Sequence, residues 1–356
     1  MTTISVERAK ALKSKPQDET KMGFGQLFTD HMFSMNYSPD HGWHNPRVEP
    51  YHMLEMDPAT MVLHYGQAIF EGLKCYRRAD QGLQLFRPRD NFHRLNLSAD
   101  RLSIPMFNED TAMDGFLKLL ELDGEWTPHL DGSSLYVRPT IIAIDPFLGV
   151  RASNTYLFFI ILSPSGSYYA GGLQPVSIYV EDQYVRAVRG GLGFTKAAAN
   201  YAASIKAADI AKQKGFAQVL WLDGVDQKYI EEVGSMNIMF VIDGKLVTPE
   251  LNGSILAGIT RDSILTLARD MGMTVEERRV SIEEIASAAR SDKLQEAFGT
   301  GTAAVVSPVG ELCYEGEVFS INGKQIGPVT QKMYDTLTGI QYGRISDPHG
   351  WILPLK

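Results

Sequence analysis

Cysteine is nearly absent from this chain: Cys75 and Cys313 are the only two among 356 residues, and they lie far apart in sequence. A disulfide framework or a cysteine-rich metal site is therefore not expected, and such sparse cysteine is typical of a reducing compartment. No apolar run is long enough to span a membrane. The first twenty residues have no apolar signal core and carry acidic side chains, which argues against a transit peptide. We expect a cytoplasmic protein without a metal site.

An excess of positive charge is also missing, since the net charge is −8. The charge pattern gives no indication of binding to nucleic acid or to an anionic membrane. With 44% hydrophobic and 21% charged residues, the composition is that of an ordinary globular protein. Internal repeats and low-complexity segments are absent from the sequence. A chain of this length exceeds what one hydrophobic core usually serves, so two domains are expected.

The pattern of elements predicts an α/β protein of the α+β type, because helices and strands are mixed without regular βαβ alternation. Each domain is expected to be a mixed sheet with flanking helices. The cluster SPSGSYYAGG at residues 163–172 is the strongest linker signal. The predicted boundaries are a smaller N-terminal domain at 1–165, an interdomain loop at 166–176 and a larger C-terminal domain at 177–356.

Local signals predict several individual elements. The first twenty residues should form an exposed arm, with structure beginning near residues 24–35, and residues 64–76 should run from a strand into a helix. Pro88 should start a helix, and Ser281 with Glu284 should form a capping box. Residues 134–143 and 156–163 read as paired strands, and residues 231–242 as one strand. Hairpin turns are expected at residues 243–244 and 322–323.

The stretch RGGLGFTKAAANYAAS at residues 189–204 places Lys196 among glycine and alanine, with Phe194 and Tyr201 close by. Poor solvation lowers the pKa of an ammonium group, which makes the free amine available to attack a carbonyl. From these residues alone, an ordinary surface lysine on an alanine-rich helix is the more common case.

Three further features bear on this lysine. Residues 258–261 (GITR) open a helix whose first backbone amides and Thr260 hydroxyl could hold a phosphate, although Thr260 could equally be a plain N-cap. The loop FGTGTA at residues 298–303 brings glycines and threonines to a ligand, a weak signal alone. Glu232 lies in an otherwise apolar strand, where a carboxylate usually has a cationic partner. Arg94 falls between apolar helix positions and either reaches the surface or holds an anion.

A nucleophilic lysine, a phosphate cradle and a carboxylate that can protonate a ring nitrogen are the parts that pyridoxal 5′-phosphate requires. From residue 23 to the C-terminus the chain resembles the branched-chain amino acid aminotransferases of the pyridoxal-phosphate fold type IV family. The motifs that carry this resemblance, in chain order, are FTDHM (28–32), HYGQAIFEGLK (64–74), SLYVRP (134–139), the lysine stretch, EVGSMN (232–237), LNGSILAGITRDS (251–263), FGTGTA, QYG (341–343) and HGW (349–351).

The resemblance implies a role for each matching residue. Lys196 would carry the cofactor as a Schiff base and act as the catalytic base and acid. Glu232 would pair with the pyridine nitrogen and Tyr201 with the phenolic oxygen, while Ser235 would keep a cofactor contact that close relatives make with threonine. The phosphate would be held by Arg94, Ile259, Thr260 and Thr302.

For the substrate, the resemblance implies that the amides of Thr302 and Ala303 receive the α-carboxylate. Arg138 would meet the distal carboxylate of glutamate, so that one pocket accepts leucine and glutamate in turn. The apolar pocket would be walled by Tyr65, Phe70, Tyr136 and Tyr168. The implied reaction is reversible transamination of leucine, isoleucine and valine with 2-oxoglutarate, in a homodimer whose subunits close each other's pockets.

One departure concerns regulation. Mammalian relatives carry a CxxC redox pair just after the threonine loop, whereas Ala304 and Ser307 stand at the matching positions here. Thiol regulation of that kind should therefore be absent.

Other functions remain as alternatives. A D-amino acid aminotransferase or an aminodeoxychorismate lyase would share the fold, but EVGSMN with Tyr136 and Arg138 argues against both. A nicotinamide dehydrogenase would read GLGFT as its phosphate loop, yet the third glycine and a preceding strand are lacking. A binding or scaffold protein would take up no pyridoxal phosphate.

Overall fold

A computed structural model describes residues 3–166 and 172–355. The strands in chain order are β1 (Ser5–Val6), β2 (His31–Ser38), β3 (Gly42–Pro50), β4 (Ala68–Phe70), β5 (Leu73–Arg77), β6 (Leu83–Phe86), β7 (Ser134–Ala143), β8 (Tyr156–Ser165), β9 (Val176–Glu181), β10 (Gln218–Leu222), β11 (Ile230–Val233), β12 (Met236–Ile242), β13 (Lys245–Pro249), β14 (Val275–Arg278), β15 (Leu294–Gly301), β16 (Val305–Tyr314), β17 (Glu317–Ser320) and β18 (Ile352–Pro354). The α-helices are α1 (Met61–Tyr65), α2 (Pro88–Arg101), α3 (Glu109–Asp123), α4 (Ala198–Gln213), α5 (Ile259–Asp270), α6 (Ile282–Arg290) and α7 (Pro328–Gln341).

Contacts divide the chain into two compact units. Unit 1 contains Met1–Ala170, Thr195–Ala199 and Ile340–Lys356, and unit 2 contains Gly171–Phe194 and Asn200–Gly339. The short segment that carries Lys196 therefore clusters with the first half of the chain. The domain boundaries drawn from the sequence stay a prediction.

Unit 1 is built on one sheet with the strand order β1-β3-β2-β8-β7-β5-β6-β18, and β4 pairs with β7. Its strands are antiparallel except for the parallel pair β1 and β3. Helix α3 approaches β2 closely at Gly115, where an added Cβ would lie 2.1 Å from the ring of Phe33. Phe33 packs against Phe158, and Phe92 against Phe116, within one buried core.

Unit 2 contains a second mixed sheet with the order β11-β10-β9-β16-β15-β12-β13-β14, to which β17 adds beside β16. Because β11 pairs with both β10 and β12, six of these strands form a closed ring. Closure pairs backbone groups that would otherwise lie at a sheet edge. The buried Trp221 packs with Ala207 and Ala211 of α4. Both units thus confirm the predicted mixture of sheets and flanking helices.

Many local predictions are confirmed. Helix α2 starts with Pro88, and the Ser281 hydroxyl accepts a hydrogen bond from the Glu284 amide at 3.1 Å, as a capping box requires. The Glu284 carboxylate does not complete the box, because it pairs with Arg278 instead. Strands β7 and β8 pair over their full lengths, and β12 and β13 form the hairpin expected at residues 243–244.

Four local predictions are wrong. Structure begins earlier than residue 24, since β1 joins β3, and residues 64–76 run from a helix into strands rather than the reverse. Residues 231–242 form two strands, because Gly234 adopts a left-handed φ of 56° and turns the chain. Residues 322–323 lie in a 3-10 turn that leads to α7, and the hairpin between β16 and β17 instead turns at Glu315 and Gly316. Both pairs have positive φ, so glycine marks the turn without fixing which element comes after it.

Across the part of the chain that the structure describes, no helix is both long enough and apolar enough to cross a membrane.

Candidate active site

Lys196 is held in unit 1 by its backbone. Its amide donates to the Ser98 hydroxyl at 3.1 Å, its carbonyl accepts from the Phe70 amide at 3.1 Å, and Ala197 forms a β-bridge with Ile69. The side chain is half-buried, and Nζ lies 4.8 Å from the centroid of the Phe70 ring. Lys196 is therefore fixed against β4 and is not a lysine on an exposed helix face.

Phe70 also contacts a second cation, Arg138 on β7. The Arg138 guanidinium lies 4.5 Å from the Phe70 ring centroid and donates to the Tyr136 hydroxyl at 3.0 Å. Its Nε is buried and has no hydrogen-bond partner among the described residues. Cation and ring attract each other through the negative face of the ring. Phe70 thus brings the candidate nucleophile and the candidate carboxylate-binding arginine to one aromatic side chain.

Tyr136 is buried, and the site leaves no space behind it. Gly72 has no room for a side chain, since an added Cβ would lie 2.0 Å from the Tyr136 hydroxyl oxygen. On its other side Tyr136 packs edge-on against Phe24, a contact that the sequence did not indicate. Tyr65 is partly exposed and donates its hydroxyl to the Leu148 carbonyl. The structure places no contact between Tyr65 and Phe70, Tyr136 or Arg138 among its described aromatic and hydrogen-bonding pairs, and Tyr168 lies outside the described residues.

Arg94 does not reach for the surface, because its side chain is only 10% exposed. It forms a two-bond ion pair with Glu71, from Nε to Oε1 at 2.7 Å and from Nη2 to Oε2 at 3.0 Å. Asn91 donates to the same carboxylate at 2.8 Å. Glu71 was missed by the sequence reasoning. The available signal was a carboxylate inside the apolar and aromatic segment AIFEGL, where it must have a partner.

The ionisation of Glu71 follows from these partners. Complete burial raises the pKa of its carboxyl, but the charges of Arg94 and Lys196 and the hydrogen bonds from Arg94 and Asn91 lower it by more. The net pKa lies below its usual value, so Glu71 is a carboxylate at neutral pH. Unit 1 thus contains two basic side chains, Arg94 and Lys196, whose charges act on one buried carboxylate.

In unit 2, Glu232 on β11 is buried and pairs with Arg186. Arg186 Nε lies 2.9 Å from Glu232 Oε2, and the Leu256 amide donates to Oε1 at 2.8 Å. The sequence pattern predicted that Glu232 has a cationic partner, and this is confirmed. Arg186 itself was not identified from the sequence, since 46 residues separate it from Glu232 and nothing local connects them.

Tyr201 and Ser235 lie around one narrow cleft of unit 2. The cleft is lined by Arg186, Asn200, Tyr201, Ser204, Gly234 and Ser235. Ser235 is exposed at the tight turn between β11 and β12. Asn200 donates to the Leu192 carbonyl at 2.9 Å, which ties the start of α4 to the preceding loop. The turn at Gly234, unpredicted from the sequence, is what brings Ser235 beside Tyr201.

Helix α5 begins at Ile259, and its N-cap is Gly258, which makes no side-chain capping bond. Thr260 is therefore a buried residue of the first turn rather than the N-cap. Gly258 packs so closely that an added Cβ would lie 2.0 Å from Asn237 Oδ1. The first amides of a helix have no partner within the helix, so Ile259 and Thr260 are oriented as anion donors.

The threonine loop follows β15. Thr302 and Ala303 are half-buried in the turn to β16, and the Thr300 hydroxyl is buried without a hydrogen-bond partner among the described residues. Gly301 backs onto Met236, where an added Cβ would lie 3.1 Å from its side chain. Glycine here lets the backbone approach its neighbours closely.

The model of the family described as amino-transferase class IV matches residues 68–312. The chain belongs to this family. It is 55% identical over 349 residues to branched-chain-amino-acid aminotransferase 2 of Bacillus subtilis, covering 98% of this chain and 96% of that protein. It is also 47% identical to the branched-chain-amino-acid aminotransferase of Mycolicibacterium smegmatis, covering 94% of this chain and 92% of that protein.

Among solved structures, the branched-chain amino acid aminotransferase of Escherichia coli matches with a TM-score of 0.76 and 28% identity, covering 92% of this chain and 99% of that one. The Thermus enzyme complexed with N-(5′-phosphopyridoxyl)-L-glutamate matches with a TM-score of 0.73 at 24% identity, covering 94% and 99%. These matches confirm the fold type IV expectation. The chain is an aminotransferase, and the non-enzymatic and dehydrogenase alternatives no longer apply.

Proposed function

We propose that this enzyme catalyses reversible transamination of leucine, isoleucine and valine with 2-oxoglutarate, giving branched-chain 2-oxo acids and glutamate. The observation that carries the proposal is the Phe70 ring, which contacts both the Lys196 amine and the Arg138 guanidinium. An aromatic wall suits an apolar side chain, and the adjacent arginine lets the same pocket accept a second carboxylate. Relatives over nearly the full length carry this activity in their names, which supports the same substrate class.

We assign pyridoxal 5′-phosphate as the cofactor, and the side chains fit its needs. Lys196 presents its amine beside Phe70, and Arg94 is a buried cation whose single described acidic partner is Glu71. Glu232 is a buried carboxylate with a fixed orientation. When bound, the cofactor supplies an electron sink for the negative charge that develops at the substrate α-carbon. Lys196 would bind it covalently, and Arg94, Ile259, Thr260 and Thr302 would hold its phosphate.

The chain's own groups would then divide the remaining work. Lys196 Nζ, once released, would move the proton at the substrate α-carbon as base and acid. Glu232 would hold a proton on the ring nitrogen, Tyr201 would donate to the phenolic oxygen, and Ser235 would contact the cofactor. The amides of Thr302 and Ala303 would receive the α-carboxylate, and Tyr65, Tyr136 and Tyr168 would complete the apolar wall with Phe70.

The first test is borohydride reduction of the holoenzyme followed by peptide mapping. We expect the label on Lys196, and Lys196→Ala should abolish turnover without unfolding the protein. Lys206→Ala is the matched control, because Lys206 is an exposed lysine on α4. Labelling at any other lysine would refute the assignment.

The second test separates the two substrates. Arg138→Met should lower kcat/KM for glutamate roughly 10–100-fold, the effect of losing a hydrogen bond to a charged group. Activity with leucine should fall much less, because its side chain needs no cation. A panel that also contains D-alanine addresses the remaining fold-sharing alternatives, since preference for a D-amino acid would contradict the proposal.

We further propose that the enzyme is a cytoplasmic homodimer whose subunits complete each other's pockets, with no nucleic-acid or membrane partner. Support comes from apolar side chains that are exposed near Tyr65: Leu63, Leu148 and Val150 are 60%, 61% and 86% exposed. Such patches mark protein interfaces. Sedimentation should give twice the chain mass, and Val150→Asp should shift it toward the monomer. A monomeric wild-type enzyme would refute this part, and cell fractionation tests the compartment.

A further inference from the structure

Two adjacent carboxyls, Glu231 and Glu232, are buried on β11 near a single arginine. Their exposed fractions are 3% and 2%, and that of Arg186 is 8%. A buried carboxylate needs a cation or several donors to remain charged. How these three groups share one positive charge decides which carboxyl is ionised.

The geometry assigns the charge to Glu232. Arg186 Nε lies 2.9 Å from Glu232 Oε2, and no ion pair between Arg186 and Glu231 occurs among the described residues. Glu231 Oε1 instead accepts from the Ser254 hydroxyl and, at 3.5 Å, from Asn252. Burial raises the pKa of Glu231; the hydrogen bonds from Ser254 and Asn252 oppose this, and the charge of Glu232 raises it again. The neutral form is favoured at Glu231 and the charged form at Glu232.

Arg186 is itself fixed by backbone. Its Nη1 donates to the carbonyls of Gly193 at 3.2 Å and Ser254 at 3.1 Å. Gly193 has no space for a side chain, since an added Cβ would lie 2.0 Å from the same Ser254 carbonyl oxygen. The glycine in GLGFT thus has a packing reason: it allows the loop before Lys196 to close over the arginine.

Glu232 is consequently held at both oxygens, by Arg186 at Oε2 and by the Leu256 amide at Oε1. Two fixed donors set the plane of the carboxylate and the direction of its remaining lone pairs. We propose that Arg186 is a positioning residue: it keeps Glu232 ionised and aims it at the ring nitrogen of the cofactor. This inference rests on the proposed function, which gives Glu232 that partner.

The test compares pyridoxal phosphate with its 1-deaza analogue, in which a carbon replaces the ring nitrogen. The cofactor-free full-length protein should bind the natural cofactor roughly 10–100-fold more tightly, because only it forms a charged hydrogen bond with Glu232. Arg186→Met should reduce this preference at least tenfold, as should Glu232→Gln, and the double variant should lose no more than either alone. Arg186→Lys should retain part of the preference, since it keeps the charge.

Two more variants separate positioning from general damage. Gly193→Ala should displace the arginine and reduce the preference, while Arg278→Met, which removes a partly exposed arginine paired with Glu284, should leave it unchanged. Equal weakening of both cofactors by Arg186→Met would show a merely structural role and overturn the inference. Label on Lys196 together with an undiminished preference in Arg186→Met would overturn this inference alone. A wild-type protein that binds neither compound would overturn the proposed function itself.

Discussion

Removing the Glu71 carboxylate should strongly destabilise unit 1. Glu71 is fully buried and Arg94 pairs with it through two bonds of 2.7 and 3.0 Å. In Glu71→Leu the guanidinium stays buried without this carboxylate, which costs about 3–5 kcal/mol for a buried pair broken on one side. Asn91 also loses its acceptor. Equilibrium urea unfolding of the cofactor-free protein measures the loss in the free energy of unfolding.

A double-mutant cycle tests the reason for this loss. Glu71→Leu with Arg94→Met removes both charges, so the double variant should be more stable than Glu71→Leu by about 2 kcal/mol or more. The exposed pair of Arg290 and Glu317 is the control, and Glu317→Gln should cost only about 0–1 kcal/mol. If Glu71→Leu cost no more than this control, the reasoning would be refuted.

The pH dependence of the same variant has a definite sign. The pKa of Glu71 is lower in the folded protein than its usual value. Its stabilisation is therefore complete above the pKa of the unfolded chain, about 4.3, and is lost as the pH falls through the lower folded pKa. The difference in unfolding free energy between wild type and Glu71→Leu should shrink in acid and stay constant from pH 6 to 8.

Three further predictions concern other buried groups. Burial lowers the pKa of Lys74 from 10.5 to about 8, so Lys74→Met should stabilise the protein at pH 7 by on the order of 3 kcal/mol; the gain should disappear in unfolding measurements above pH 10.5, and a gain independent of pH would contradict this. His31 accepts from the Ala9 amide at 2.9 Å, so His31→Ala should speed hydrogen exchange of the N-terminal arm in mass spectrometry, and unchanged exchange would exclude this anchor. Burial raises the pKa of Cys75 to about 12 and Cys313 is also buried, so a thiol reagent should label either only after unfolding, and rapid labelling of the native enzyme would argue against both this and the absence of thiol regulation.

Local chemistry was enough to predict much of the fold. Proline at position 88, the capping serine at 281 and the apolar strands β7 and β8 act within a few residues, where side-chain and backbone preferences operate directly. The turns at Gly234 and at residues 315–316 were missed or misplaced, because glycine permits a positive φ without dictating which strands pair on either side.

The sequence by itself determined the residue types available to the site and their order along the chain, including Lys196, Arg94, Glu232 and Arg138. Only the tertiary structure decided their partners: Glu71 for Arg94, Arg186 for Glu232, and Phe70 for both Lys196 and Arg138. The physical reason is that the cost of burying a charge requires a partner but does not specify where in the sequence it lies. That choice is made when strands and helices distant in sequence pack together, which no local pattern contains.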